Sequence, residues 1–234
     1  MQDIRAVAFD KDGTLFDFHA TWAAWAQRFL TGLAGGDADH ARALGVAIGF
    51  DVDTATYAPD SPVIAGTPGE IAGGLLPLLP DWARGDLIAH MNEQAAHAPL
   101  QPAVPLAPLL DHLRAAGIRV GVITNDGEAP ARAHLMSEGV LERFDFVAGC
   151  DSGYGAKPEP GQINAFATAM GIDPRHILMV GDSLHDLMAG RAAGVNTLGV
   201  LTGVAIAEEL RPYADAIAPD IGAVPGLIGL AAPA

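Results

Sequence analysis

The sequence predicts a doubly wound α/β fold with a helical insertion. Three features predict it: short apolar runs of strand length, helix-like stretches between most of them, and a long gap after the first run. β-type runs occupy Ala6 to Phe9, Arg119 to Thr124, Phe144 to Gly149, His176 to Val180 and Thr197 to Leu201. Strands buried on both faces of a parallel sheet read as nearly continuous apolar segments of this kind. Helix-like stretches lie near Gly127 to Ser137, Pro160 to Met170 and Leu184 to Ala193, with Gly139, Gly171 and Gly194 just past their ends, where helices commonly stop. Strand alternating with helix points to a parallel sheet covered by helices.

The first two runs break this rhythm, because more than a hundred residues separate Phe9 from Arg119. From Phe16 to Ala98 the chain is rich in alanine and leucine and shows no clear β-run, while Gly35, Gly36, Pro59, Pro62, Pro68, Pro77 and Pro80 divide it into short helices. Trp22, Trp25 and Phe29 recur at helical spacing, a packing stripe rather than a stacking platform. Pro99 to Pro105 then forms a proline-rich return, followed by a helix near Leu106 to Ala116. The expected division is a core of residues 1–15 and 99–234 and a helical cap of residues 16–98. The residues after Pro219 carry no clear pattern.

Half of the 234 residues are hydrophobic, enough for a sizeable core. The net charge of −15 and pI near 4.6 argue against nucleic acid or an anionic membrane as partner, since both need a positive surface. A small molecule is the expected partner. No run approaches the roughly 20 apolar residues that span a bilayer, and the amino terminus enters an apolar strand without a signal-like segment, so the cytoplasm is the expected location. The single cysteine, Cys150, fits a reducing compartment and reads as a small core or strand-end residue.

The chemistry gathers at run ends. The first run ends in Phe9-Asp10-Lys11-Asp12-Gly13-Thr14, where strand alternation turns Asp10 and Asp12 one way and Lys11 the other. The fourth ends in Gly181-Asp182-Ser183-Leu184-His185-Asp186, whose two acids are spaced to share one helical face; His185 is expected off that face. Ligands bind beyond the carboxyl ends of such strands, so four acids would converge there. At about 4 Å and an effective dielectric near 20, each like-charged pair costs roughly 4 kcal/mol, which calls for a cation. Mg²⁺ fits, since no soft ligand joins the acids. The second run ends in Thr124-Asn125-Asp126-Gly127 at a helix start, a favourable anion site. Lys157, one of two lysines in the chain with Lys11, is placed after the third run to hold a phosphoryl oxygen beside Asp10.

These four signals, in this order, resemble the haloacid dehalogenase superfamily over about residues 5–15 and 105–205, and within it the phosphoglycolate phosphatase-like branch. The resemblance implies a Rossmann-like core with that family's helical cap of the first type (C1), and a phosphatase acting on a small phosphorylated metabolite, as a monomer or homodimer. Carried over by residue, Asp10 is the nucleophile and Asp12 the general acid and base. Thr124, Asn125 and Lys157 bind the phosphoryl group. Asp10, the backbone carbonyl of Asp12 and Asp182 hold Mg²⁺, with Asp186 supporting its water shell. Lys11 departs from the family's frequent apolar residue and is expected to leave the chemistry unaltered.

Asp12 speaks against a dehalogenase, which normally lacks an acid there, and a cap without lysine against a phosphonate hydrolase, which needs a Schiff-base amine. A sugar-phosphate mutase on the same core stays open. A non-catalytic binding module is the alternative of another class, and loss of Asp10, Asp12, Lys157 or Asp182 would have favoured it. Arg28, Arg42, Arg84, His19, His90 and His97 are among the basic residues the cap offers to a leaving group such as a carboxylate.

Overall fold

The computed structural model describes residues 3–230. The outermost parts of the expected core, residues 1–2 and 231–234, lie outside the described residues. The chain runs through β1 (Ala6–Phe9), α1 (Phe18–Leu33), α2 (Ala38–Ala47), β2 (Phe50–Asp51), β3 (Thr56–Tyr57), α3 (Pro62–Ala65), α4 (Pro68–Leu75) and α5 (Arg84–Ala95). It returns through α6 (Leu106–Ala115), β4 (Arg119–Ile123), α7 (Glu128–Ser137), β5 (Phe146–Ala148), α8 (Gly161–Met170), β6 (Ile177–Gly181), α9 (Leu184–Ala193), β7 (Asn196–Val200), α10 (Ala207–Leu210), β8 (Ala216–Ala218) and α11 (Val224–Leu227).

Six strands pair in the order β5-β4-β1-β6-β7-β8, every neighbouring pair parallel. The sheet is a Rossmann-like, doubly wound α/β core. Its order reverses between β1 and β6, so the carboxyl ends of these two strands border the crevice where open α/β sheets bind ligands. Alternation along β1 divides the core: Val7 and Phe9 pack with Leu109, Leu110 and Leu113 of α6, while Ala6 and Ala8 face Ile163 and Phe166 of α8. Leu110 and Leu113 are completely buried, each contributing about 1.5–3 kcal/mol relative to exposure.

Between β1 and α6 the helical segment has an apolar cluster of its own, in which Trp22, Trp25, Phe29 and Leu30 of α1 meet Leu44, Ile71, Leu75, Leu87 and Met91. Asp17 starts α1 by accepting from Ala20 N at 2.8 Å, and Thr67 with Glu70 closes a capping box over the first turn of α4. Trp25 stacks on Phe29 with centroids 4.8 Å apart, so the aromatic stripe is packing. The two connections to the core run side by side, with Asp17 N on Gln101 O and Ala103 N on Leu15 O, both at 2.9 Å.

Two features depart from the sequence expectation. The helical segment contains a short antiparallel pair, β2 with β3; two residues per strand are too few to show a period, and Asp51 Oδ1 fixes the turn by accepting from Asp53 N and Thr54 N. The core gains a sixth strand, β8, whose three residues carry no distinguishing pattern. Among the described residues no helix is long and apolar enough to cross a membrane.

Candidate active site

Asp10 follows β1, and Asp182 follows β6, on the two sides of the reversal. Both are buried, at 7% and 3% exposure. Lys157, from the loop after β5, reaches Asp10 across the crevice mouth. Its Nζ donates to Asp10 Oδ1 and to Asp186 Oδ1, each at 2.6 Å, and to Ile123 O at 3.0 Å, which accounts for all three ammonium protons. Burial opposes the charge, but Asp10 and Asp186 hold the Lys157 pKa above the ordinary lysine value. Burial pushes the Asp10 carboxyl up to about 7, with Lys157 opposing the rise and Asp186 and Asp12 adding to it.

The acids of the β6 end differ in placement from the expectation. Ser183, extended at φ −121° and ψ 161°, is the N-cap of α9, so Asp182 precedes the helix instead of sharing a face with Asp186. Asp186 Oδ2 accepts from Ser183 N at 3.0 Å and from Ser183 Oγ at 2.6 Å. This capping box fixes its Oδ1 toward Lys157. His185, expected off the site, lines the crevice with Nδ1 2.9 Å from Ala65 O.

Thr124 and Asn125 follow β4. Thr124 Oγ1 accepts from Asp126 N at 3.0 Å, which leaves the hydroxyl proton free to donate into the crevice, and Gln162 Nε2 holds Thr124 O at 2.9 Å. Asn125, expected to touch substrate, has its amide engaged elsewhere. Its Oδ1 accepts from Lys157 N and its Nδ2 donates to Lys157 O and Ala65 O, all at 2.8 Å. The side chain therefore seats the lysine loop and the helical segment, because none of its donors is left for a ligand.

Asp12 also lines the crevice, and Lys11, expected to face away from it, lies behind Asp12 in contact with its carboxylate. The Lys11 side chain is entirely buried, and its Nζ lies 2.7 Å from Asp12 Oδ1 and 2.6 Å from Oδ2. The alternation of β1 carries past Phe9 in direction, with Asp10 and Asp12 on the crevice and Lys11 off it; what it does not foretell is that Lys11 is buried. A charged residue at an apolar strand end, in a chain with two lysines, is the signal that marks it.

The crevice holds a cavity of about 60 Å³. Its far wall is apolar, formed by Trp22, Trp25, Ile64, Ile71 and Met91, with Asn92 as a polar member. None of Arg28, Arg42, Arg84, His19, His90 or His97 lines it. Arg42 is instead paired with Asp39 and Asp53, and Arg84 donates to Gly69 O at 2.8 Å.

Asp10, Asp182 and Asp186 each offer a carboxylate oxygen within 4.8 Å of the others. Burial, reinforced by Asp186 and Asp10, raises the Asp182 pKa well above the usual carboxylate range. Three carboxylates this close need neutralisation, and an all-oxygen donor set suits a hard divalent ion. The surroundings are shaped for the Asp182 carboxylate, since a Cβ at Gly13 or at Gly203 would overlap it. The residues present fit Mg²⁺.

Similarity to known proteins agrees with this geometry. A profile of the haloacid dehalogenase-like hydrolases matches residues 4–194. The chain belongs to the haloacid dehalogenase-like hydrolases. Within that family it is similar to phosphoglycolate phosphatase of Neisseria meningitidis, 31% identical over 229 residues that cover 96% of this chain and 92% of that one. It is also similar to pyrophosphatase PpaX of Bacillus velezensis, 35% identical over 104 residues, where the match spans 44% of this chain and about half, 48%, of the relative. The solved structure of CbbY from Rhodobacter sphaeroides in complex with phosphate superposes with a TM-score of 0.70, covering 93% of this chain and 94% of that one at 20% identity. At that identity the likeness is one of fold, and it extends over both the sheet and the helical segment of this haloacid dehalogenase-like hydrolase.

Proposed function

We propose that this chain is a Mg²⁺-dependent phosphatase of small phosphate monoesters, phosphoglycolate-like in size, acting through an aspartyl-phosphate on Asp10. The observation that carries the reading is the lysine bridge: one buried ammonium 2.6 Å from both Asp10 and Asp186, whose carboxylates each lie within 4.8 Å of that of Asp182. Phosphoryl transfer asks chiefly for positioning and for positive groups that neutralise the charge on the equatorial oxygens.

Asp10 Oδ1 is engaged by Lys157, and Oδ2 is the oxygen we assign to attack phosphorus. The phosphorus–ester oxygen bond breaks, and the Asp12 carboxyl passes its proton to the leaving oxygen. In the second step Asp12 takes a proton from water, the water oxygen bonds to phosphorus, and the bond to Asp10 breaks, releasing inorganic phosphate. Thr124 Oγ1 holds a phosphoryl oxygen in both steps, and Lys157 Nζ holds another by exchanging one of its three present acceptors for it. Mg²⁺, held by Asp10, Asp182 and the Asp12 backbone carbonyl with Asp186 behind them, supplies charge neutralisation when bound.

Residues 16–98 are assigned as a cap and residues 1–15 and 99–234 as the core. The cap's separate apolar cluster and its contacts from Ala65 O to Asn125 and His185 support a unit that seats on the crevice and excludes water. A cavity of about 60 Å³ favours a small leaving group, in keeping with the substrate in the name of the Neisseria relative. The lone Cys150 suits a reducing compartment such as the cytoplasm.

The test is phosphate release from phosphoglycolate, sugar phosphates and p-nitrophenyl phosphate, with and without Mg²⁺. The expected result is Mg²⁺-dependent release, fastest with the small esters. No release from any ester would remove the reading, and conversion of a sugar phosphate to its isomer without release would make the chain a mutase.

A further inference from the structure

Lys11 is completely buried, and a buried ammonium must find partners for three N–H donors. Asp12 takes it through both oxygens, at 2.7 and 2.6 Å. Asp126 Oδ2 faces it at 3.2 Å, and His134 Nδ1 lies 3.1 Å away. The Trp22 ring covers a further side, its centroid 5.2 Å from Nζ. His134 is held from its other edge, where Nε2 is 2.7 Å from Ala95 O. A carbonyl only accepts, so the proton is assigned to Nε2, and the Nδ1 lone pair takes a proton of Lys11. Ala95 is the last residue of α5 and Trp22 lies on α1. Through one contact and one imidazole, Lys11 therefore touches two helices of the segment that walls the crevice.

We propose that Lys11 is a positioning residue that couples the seating of the helical segment to the aim of the Asp12 carboxylate. With Ala95 and Trp22 in place, the ammonium is confined and grips both oxygens of Asp12. When that segment lifts, His134 loses its carbonyl, Trp22 leaves the ammonium, and Asp12 is no longer held in one orientation. Proton transfer is thereby restricted to the closed crevice, from which water is excluded. Lys157 performs the other task a lysine could have here, neutralising Asp10 and Asp186, so Lys11 is not a duplicate of it. The inference rests on the assignment of Asp12 as acid and base under the proposed function.

The test compares kcat/KM over phosphate esters whose leaving groups run from p-nitrophenol to simple alcohols. An alkoxide needs the proton of a well-aimed acid and p-nitrophenolate does not. Lys11→Met is expected to lower the rate with alkyl esters by at least about 30-fold beyond its loss with p-nitrophenyl phosphate, within the 10²–10⁴ range of acid–base catalysis, with KM little changed. His134→Phe is expected to show the same preferential loss in the native background and no further loss in Lys11→Met. Equal losses across all leaving groups would make Lys11 structural only, and independent, multiplicative losses would remove the path through His134. Lys11→Met leaves Asp126 without its cation, so Lys11→Met with Asp126→Asn replaces it should the single variant not fold. His134→Phe keeps both carboxylate contacts of Lys11, and a native leaving-group dependence in that folded variant overturns the coupling. Absence of any hydrolysis by the native protein counts against the proposed function instead.

Discussion

Lys157 Nζ lies 2.6 Å from Asp10 Oδ1 although 147 positions separate the two residues in the chain. The contact is possible because β1 and β4 are neighbours and the loop after β5 folds back over their carboxyl ends, seated by Asn125 on Lys157 N and O. With this ammonium removed, two buried carboxylates face each other without compensation. Lys157→Met is expected to lower kcat/KM at least about 100-fold, in line with the loss of one preorganised charge contact, and Lys157→Arg should not restore it, because a planar fork cannot replace a compact point charge between two oxygens. Steady-state hydrolysis by purified, folded variants is the measurement; activity within a few-fold of native in Lys157→Met would contradict the role.

Much of this site is legible in the sequence because its chemistry sits where buried strands end, and buried strands of a parallel sheet announce themselves as apolar runs. Asp10, Thr124, Lys157 and Asp182 are each found from such an end. Side-chain partnership is less legible. Strand alternation turns Lys11 off the crevice but does not foretell its pairing with Asp12, extending the helix back through Ser183 turns His185 away, and reading Asn125 as a ligand overlooks that its amide belongs to the backbone of Lys157. The last two depend on a turn or a cap, where neither the period of 2 nor that of 3.6 applies. The strands β2, β3 and β8 are too short to carry a period at all.

Asp182 accepts from Thr14 Oγ1 at 3.2 Å and otherwise stands among acids, so an added divalent ion should stabilise the fold directly. Saturating Mg²⁺ at about 100 times its dissociation constant adds roughly 2.7 kcal/mol by mass action, a rise of several degrees in Tm. Thermal unfolding with and without Mg²⁺, with no substrate present, checks it. The rise should vanish in Asp182→Asn; an equal rise in that variant would move the ion elsewhere.

His134 is held neutral, with burial first and the Lys11 charge second bringing its pKa down to about 4. A histidine whose folded value lies below the unfolded value of about 6.5 contributes stability that is complete above pH 6.5 and is lost as pH falls from there toward 4, because only the unfolded chain takes up the proton in that window. Chemical denaturation of native protein and of His134→Gln across this range should show a shallower pH dependence in the variant, by up to one proton. Parallel curves would mean that His134 titrates alike in both states.

The wall opposite the acids carries no arginine or histidine of the helical segment. Arg28→Ala, Arg42→Ala and Arg84→Ala are accordingly expected to change KM for phosphoglycolate by no more than about two-fold, as surface changes away from a site do. A large rise in KM for any one of them would mean that the closed crevice differs from the arrangement described.

The covalent step is the centre of the account, and rapid acid quench of native protein mixed with substrate and Mg²⁺ tests it most directly. Intact-mass measurement and peptide mapping should find one phosphoryl group on the Asp10 carboxylate, released by hydroxylamine and absent from Asp10→Asn. Turnover with no phosphorylated protein at any quench time, or a phosphoryl group on another residue, would contradict the mechanism.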